Sequence, residues 1–415
     1  MSVREGTSRI PWRRDDARPR IISVSGGARA GLAGACLLIA LTAFVWTYLR
    51  IRSAVQDDTI GFDFEGTLWN PAKALLDGLS PYPDAVASAV EIGNPALYPP
   101  LQMLLVTPLT LLPWWLGLTL WTGVLVAGMA LALYALEVRD LRCYALAFVS
   151  APVVGDVIIG NATLLLVPLV ALAWRWRGQA VRCGVVLGLA IASKLLIWPL
   201  LLWLLGSRRY RAFGVAALVA CAGILVPWAA IGFDGLTAYP DLLRVASEVY
   251  GVHSYSVSTM LSALHVGDTT AIRAAFATGL ALGVLAFVAG RRNLDEISIS
   301  LAVLGAILGS PIVWEYNYAL LFVPIAIARP RFSALWVAPL LVYWTHQLPR
   351  PLLPASELAP GGSACCRPDD VPSAPWIFSH APPGLWPALG NVVLAVVVIA
   401  YAARISRVEP RTQRS

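Results

Sequence analysis

The chain has 415 residues, 58% of them hydrophobic and only 13% charged, with a mean hydropathy of +0.69. A soluble domain carries about 25% charged residues, so the composition argues against a soluble globular enzyme. Charges gather in short blocks between long apolar runs, the pattern of a polytopic membrane protein whose spanning helices each need about 20 apolar residues. The net charge of +7 is not a nucleic-acid signature: 29 of the 31 basic residues are arginine, all but Lys73 and Lys194, and they sit between apolar spans, as the positive-inside rule requires.

Residues 1–29 carry seven arginines against three acids and read as a disordered cytoplasmic leader. No cleavable signal peptide is expected, since the first apolar run has no A-x-A site behind it. Residues 30–404 then form one transmembrane domain, with 405–415 a cytoplasmic tail. Ala30–Leu49 is the first span, running outward. Residues 50–97 form a long acidic external loop, in which Leu68, Ala72, Leu75 and Leu76 at helical spacing predict an amphipathic interfacial helix near 65–77. Of the next two apolar segments, 99–112 and 115–136, the first is expected to be interfacial or re-entrant and the second to cross. Residues 143–154 lead outward to a polar turn at 155–162, and 163–174 return.

Both ends of the apolar stretch 183–205 carry arginines, Arg175, Arg177 and Arg182 before it and Arg208, Arg209 and Arg211 after it. One crossing cannot have both ends inside, so two half-helices are expected, with Lys194 at their tip. The second half alternates more regularly: 211–231 outward, an acidic loop at 232–270, then 271–290, 297–310, 317–328 and 332–345. A Pro-, Gly- and Ser-rich external loop, 346–385, precedes the last span, 386–403. The expected architecture is all-α, with about 12 crossings and both termini inside.

Polar residues that could do chemistry fall on one side. All four histidines (His253, His265, His346 and His380) lie in predicted external loops, as do Asp63, Asn161 and Glu315. Asp63, in Gly-Phe-Asp-Phe-Glu between the first span and the interfacial helix, can be desolvated at the membrane boundary and act as a general base. A helix cap or a solvated loop acid is the competing reading. Lys194 is an intramembrane cation, and such residues by default mark functional sites; snorkelling to the interface is the alternative. Trp314, Glu315, Tyr316 and Asn317 form a turn dense in side chains that stack on and hydrogen-bond sugars, though aromatics also anchor helices at interfaces. The six cysteines form no metal spacing, and no disulfide is assigned to the adjacent Cys365 and Cys366. No metal or other cofactor is assigned; the pairs Asp57-Asp58 and Asp369-Asp370 leave a divalent cation open.

Asp63-Phe-Glu-Gly-Thr-Leu-Trp through Tyr82, followed by Tyr98-Pro-Pro-Leu and an apolar run ending at Pro113, resembles the opening of glycosyltransferase family 87 of the GT-C superfamily. Gly160-Asn161-Ala-Thr, Gly188-Leu-Ala-Ile-Ala-Ser-Lys194 with Arg208-Arg209-Tyr-Arg211, and Ser310-Pro-Ile-Val-Trp314 are similar to later family elements, so the likeness runs from about residue 60 to 330. That family includes actinobacterial mannosyltransferases that use polyprenyl-phosphate-mannose to make α-1,2 linkages. The resemblance implies an inverting membrane glycosyltransferase at the plasma membrane, its site facing outward. It would move one sugar, mannose by family precedent, from a polyprenyl-phosphate donor to an envelope glycolipid or glycan, with no nucleic-acid partner. It makes Asp63 catalytic, places Lys194 near the donor phosphate and puts Trp314 on the outer rim of the cavity. Beside these, His253 is expected at the donor phosphate, and Glu65, Tyr82, Asn161, Glu315 and Asn317, with Trp314, are expected to contact substrate. Two elements depart from the family pattern. Family members often have histidine after the tryptophan, where this chain has Glu315, and an Asn-Gln-Ser-like element appears only as Ser254-Tyr255-Ser256-Val257-Ser258. A transporter or flippase would also explain the spans and Lys194, but not the long acidic loop or the one-sided polar residues. A non-catalytic envelope-assembly protein is the third reading.

Overall fold

The computed structural model describes residues 26–83, 89–90, 94–251, 254–345 and 385–408. The expectations for residues 1–25, for His253, His346, His380, Cys365, Cys366, Asp369 and Asp370, and for nearly all of the 346–385 loop and the tail, lie outside these residues.

Every element among the described residues is helical. Four helices are long and apolar enough to cross a membrane: Ala33–Gln56 within the first helix, Trp114–Ala135, Tyr210–Ala230 and Asp268–Arg291. A fifth candidate is the pair Leu141–Phe148 and Ala151–Ile159, bent by 57°. The bend has a local cause. Pro152 has no N–H to return to the preceding turn, and Ser150 adopts an extended backbone. The remaining apolar helices are shorter, among them Pro100–Leu111, Ala162–Arg175, Ala180–Ser193 and Leu195–Gly206.

The first helix differs from expectation in a way that matters for the site. It runs through Arg50 and Arg52 to Gln56, and so takes in residues read as the start of a loop. Nothing in Leu49–Gln56 breaks a helix. The chain turns only after Asp57, where Asp58 (φ 52°) and Gly61 (φ 78°) adopt left-handed backbone. Thr47 of this helix donates to the Val149 carbonyl at the bend of the broken pair, which anchors the helix one turn before Arg50.

The segment expected to be a helix near 65–77 is one: a π-helical turn, Phe64–Trp69, followed by Asn70–Leu76. Its apolar face is not idle. Phe64, Leu68, Trp69 and Ala72 are buried, and Phe64 stacks near Trp114 and Trp121 at 5.7 and 5.3 Å between ring centres. This packing fixes the loop against the bundle.

The break at Lys194 is present. Ala180–Ser193 ends at Lys194, whose backbone is extended (φ −151°, ψ 116°), and Leu200–Gly206 leads back after a short 3-10 turn. A broken helix exposes carbonyls that a membrane cannot satisfy. Here Gln102 donates to the Ser193 carbonyl at 2.8 Å. The two arginine-bearing connectors at the other ends of these helices come together. Arg209 donates to the Arg177 carbonyl and, through both terminal nitrogens, to Asp295 at 2.7–2.8 Å; Trp203 and Ser207 also donate to Asp295. That convergence agrees with a hairpin whose ends lie on one side.

Candidate active site

Asp63 precedes the π-helical turn, and Thr67, one turn on, donates its hydroxyl to the Asp63 carbonyl at 2.6 Å. The carboxylate is held at both oxygens. Asn94 donates to Oδ1 at 2.8 Å and Asn161 to Oδ2 at 2.7 Å. Asn161 is positioned by a tight turn. The helix Ala151–Ile159 ends on Gly160 in left-handed conformation (φ 71°), a geometry that favours glycine, and a Cβ there would press on Phe64. The Gly160 carbonyl accepts from the Trp121 indole at 2.7 Å, and the Gly61 N–H donates to the Ile158 carbonyl at 2.8 Å. The Asn161 turn and the Asp63 turn are therefore tied through backbone as well as side chains.

Behind this pair runs a continuous polar chain. Lys194 Nζ donates to Thr163 Oγ1 at 2.6 Å, and Thr163 donates its hydroxyl and its N–H to Asn161 Oδ1 at 2.6 and 2.8 Å. With its carbonyl oxygen so occupied, Asn161 turns its NH2 group toward Asp63 and toward the Tyr98 hydroxyl, 2.8 Å away. Lys194 also sits over the rings of Tyr98 and Tyr316, 5.3 and 5.6 Å from their centres. Asp156, fully buried in the helix that leads to Asn161, lies within electrostatic reach of both Lys194 and Asp63.

Asp63 opens onto a cavity of about 360 Å³, within the range of small-ligand sites. Asn94, Tyr98, Asn161, Arg50, Tyr255, Trp314, Glu315 and Tyr316 line it. Burial pushes the Asp63 carboxyl above the ordinary carboxylate range; the two asparagine amides and the Lys194 charge oppose that rise. A half-buried carboxylate of this kind is a better proton acceptor than a solvated one.

The two elements that depart from the family pattern meet at this cavity, Tyr255 from one and Glu315 from the other. Ser256 caps the helix Val257–Ala263 through the Thr259 N–H, and Ser258 donates to the Pro311 carbonyl at 2.7 Å. The Tyr255 N–H donates to the Val313 carbonyl at 2.6 Å. The Ser254–Ser258 element thus docks directly on the Ser310–Trp314 turn. Glu315 pairs with Arg50 at 2.5 Å across the cavity wall.

Of the residues singled out in the sequence, Asp63, Asn161, Trp314 and Glu315 meet at one cavity. Lys194 joins them through Thr163, one layer behind the cavity wall. Three others stand elsewhere. Glu65 is exposed and outside the cavity wall. Tyr82 is buried in a separate aromatic cluster, stacked on Trp228 with 5.0 Å between ring centres, and donates to the Tyr98 carbonyl at 2.8 Å. Asn317 is buried and accepts from the Trp314 N–H at 2.8 Å, which shapes the turn. His253 lies outside the described residues. Tyr316, part of the turn read as sugar-binding, also lines the cavity, whereas Arg50, Asn94, Tyr98, Thr163 and Tyr255 have no site role assigned from the sequence. Among the described residues no three His, Cys, Asp or Glu side chains gather to hold a metal ion.

The family model "Glycosyltransferase family 87" matches residues 96–313. The chain belongs to glycosyltransferase family 87. The match covers Asn161, Thr163 and Lys194, while Asp63 and Arg50 precede it. As a family member the chain is a glycosyltransferase enzyme in a membrane, which disfavours the transporter and non-catalytic readings. The chain is also 24% identical over 421 aligned positions to a protein of Mycobacterium tuberculosis (strain CDC 1551 / Oshkosh). That protein is named polyprenol-phosphate-mannose-dependent alpha-(1-2)-phosphatidylinositol pentamannoside mannosyltransferase, and the alignment covers 91% of this chain and 89% of the relative. No solved structure matches.

Proposed function

We propose that this family 87 enzyme transfers mannose from polyprenyl-phosphate-mannose to a hydroxyl of an envelope glycolipid or glycan, at the outer face of the plasma membrane. The observation that carries the reading is Asp63 itself: one carboxylate, oriented by two amides, facing a cavity with an aromatic wall. The relative's named donor, and its acceptor, a mannosylated phosphatidylinositol, support the substrate classes.

In the reaction, Asp63 takes the proton of the acceptor hydroxyl while its oxygen attacks the anomeric carbon of the sugar. The bond from that carbon to the phosphate oxygen breaks, and polyprenyl phosphate leaves with the electron pair. A single displacement inverts configuration, so a β-linked donor gives an α-linked product. Phosphate is a good leaving group, so a single base suffices. Asn94 and Asn161 fix the carboxylate's direction. Lys194 acts from behind through Thr163, and its charge favours the ionised form of Asp63 and steadies negative charge developing on the departing phosphate. Trp314 and Tyr316 offer faces for the sugar. His253 remains a candidate phosphate ligand, and about 12 crossings with both termini inside remain the proposed topology.

The test is incubation of the purified protein with a panel of polyprenyl-phosphate sugars and an envelope lipid extract, with products read by mass spectrometry. A hexose added from polyprenyl-phosphate-mannose supports the reading; transfer only from another sugar donor, or none, contradicts it.

A further inference from the structure

The donor's phosphate carries negative charge into a cavity whose described wall holds two carboxylates, Asp63 and Glu315, and one cation, Arg50. Lys194 is not part of that wall: it stands behind it, donating to Thr163 and lying over the Tyr98 ring. Contact with a phosphate needs a donor on the wall itself. Arg50 has the right chemistry, since its planar guanidinium matches two phosphate oxygens at once. It also has the right support: it sits on a continuous helix, anchored one turn earlier by Thr47.

Its present partner is informative. Glu315 holds Arg50 at 2.5 Å, with the Glu315 side chain 9% and the Arg50 side chain 29% exposed. The carboxylate is seated over Gly155, where any Cβ would collide with Oε1. A carboxylate and a phosphate present the same anionic, two-oxygen edge to a guanidinium. Burying such charges unpaired is costly, so a cation kept on a cavity wall needs an anion there when the ligand is away.

We propose that Arg50 is the residue that contacts the donor phosphate, and that Glu315 occupies its guanidinium until the lipid phosphate displaces it. The proposal rests on the polyprenyl-phosphate reading of the same cavity and adds a named phosphate subsite to it. No covalent step is involved; one anion replaces another.

The experiment is native mass spectrometry of the purified full chain titrated with a short-chain polyprenyl phosphate, with neutral polyprenol and inorganic phosphate as separate arms. Wild type should bind polyprenyl phosphate saturably and polyprenol far more weakly. Inorganic phosphate that competes it off at millimolar levels would assign the subsite to phosphate in general, and no competition would assign it to the lipid-linked form; both support the contact. Arg50→Gln should weaken binding about tenfold or more, the size of one hydrogen bond between charged groups. Glu315→Gln should tighten it, because the competing charge is gone. Arg50→Gln leaves Glu315 buried without its arginine and can fail to fold, so the double variant Arg50→Gln/Glu315→Gln removes that charge and should fold yet still bind weakly. Unchanged affinity in either Arg50 variant, or a Glu315→Gln variant as weak as Arg50→Gln, would overturn the proposal. Normal binding in Arg50→Gln alongside normal mannose transfer by wild type would overturn the subsite alone; absent binding and absent transfer in wild type would overturn both readings.

Discussion

At the scale of single residues, the site is built around one carboxylate whose proton affinity is set by its neighbours. Desolvation raises the Asp63 pKa, and the amides of Asn161 and Asn94 restrain it by donating to the charged form. A base works only when deprotonated, so activity should be present above this pKa and fall as pH drops through it. Removing an amide donor raises the pKa further. Asn161→Ala should therefore shift the acid limb of the kcat/KM profile to higher pH, whereas a loss from misfolding would lower the whole profile without moving the limb. Thr163→Val should shift it in the same direction but less, because it cuts the Lys194-to-Asn161 chain one link back. The sequence made Asp63 and Asn161 visible through their place beside apolar spans. Arg50 was hidden: two arginines after an apolar run look like the start of a loop, and only the continued helix carries Arg50 to the cavity wall. Tyr82 misled for the opposite reason. An aromatic in a polar loop resembles a sugar contact, and nothing local announces that Trp228 and Tyr239, more than 140 positions away, will enclose it.

At the scale of elements, close helix packing holds the site's rear. Ala180–Ser193 lies against Tyr210–Ala230 with Gly184 and Gly188 facing Ala212, Val215, Ala216 and Val219. A Cβ on Gly188 would lie 2.7 Å from both the Ala216 carbonyl oxygen and Val219, so the two backbones approach as small-residue interfaces in membranes allow. Gly188→Ile should force the helices apart, lower the melting temperature of the detergent-solubilised protein and, because the helix ends at Lys194, reduce transfer. An unaltered melting temperature would show that the interface yields without cost. The break at Lys194 was legible because arginines at both ends of an apolar stretch cannot both be inside a single crossing. The bend at Ser150 was less so, since Pro152 marks only where a hydrogen bond is lost and not which way the chain departs.

At the scale of the whole molecule, the helices have two functional ends. Leu166–Arg175 and Ala180–Ser193 have one end near the site, at Thr163 and Lys194, and the other at the arginine connectors gathered on Asp295. Asp295 accepts from Trp203, Ser207 and Arg209, so Asp295→Ala would strand these donors and cost about 3 kcal/mol, as removal of one partner from a partly buried charge cluster does. A fall in melting temperature with the pH profile of transfer intact is the expected outcome; a changed pH profile would place Asp295 in the chemistry instead. The all-helical, membrane-embedded architecture was readable from composition, because apolar length is a direct physical requirement of a bilayer. The number of crossings was not, because short paired helices such as Ala180–Ser193 and Leu195–Gly206 can dip and return without spanning. The central claim, that Asp63 is the base of a lipid-linked sugar transfer, is tested most directly by the turnover of polyprenyl-phosphate-mannose by Asp63→Asn set beside wild type at equal folded concentration. The account predicts a rate lower by about a thousandfold, within the range that a positioned general base supplies, with donor binding retained; Asp63→Asn turnover within a few fold of wild type would contradict it.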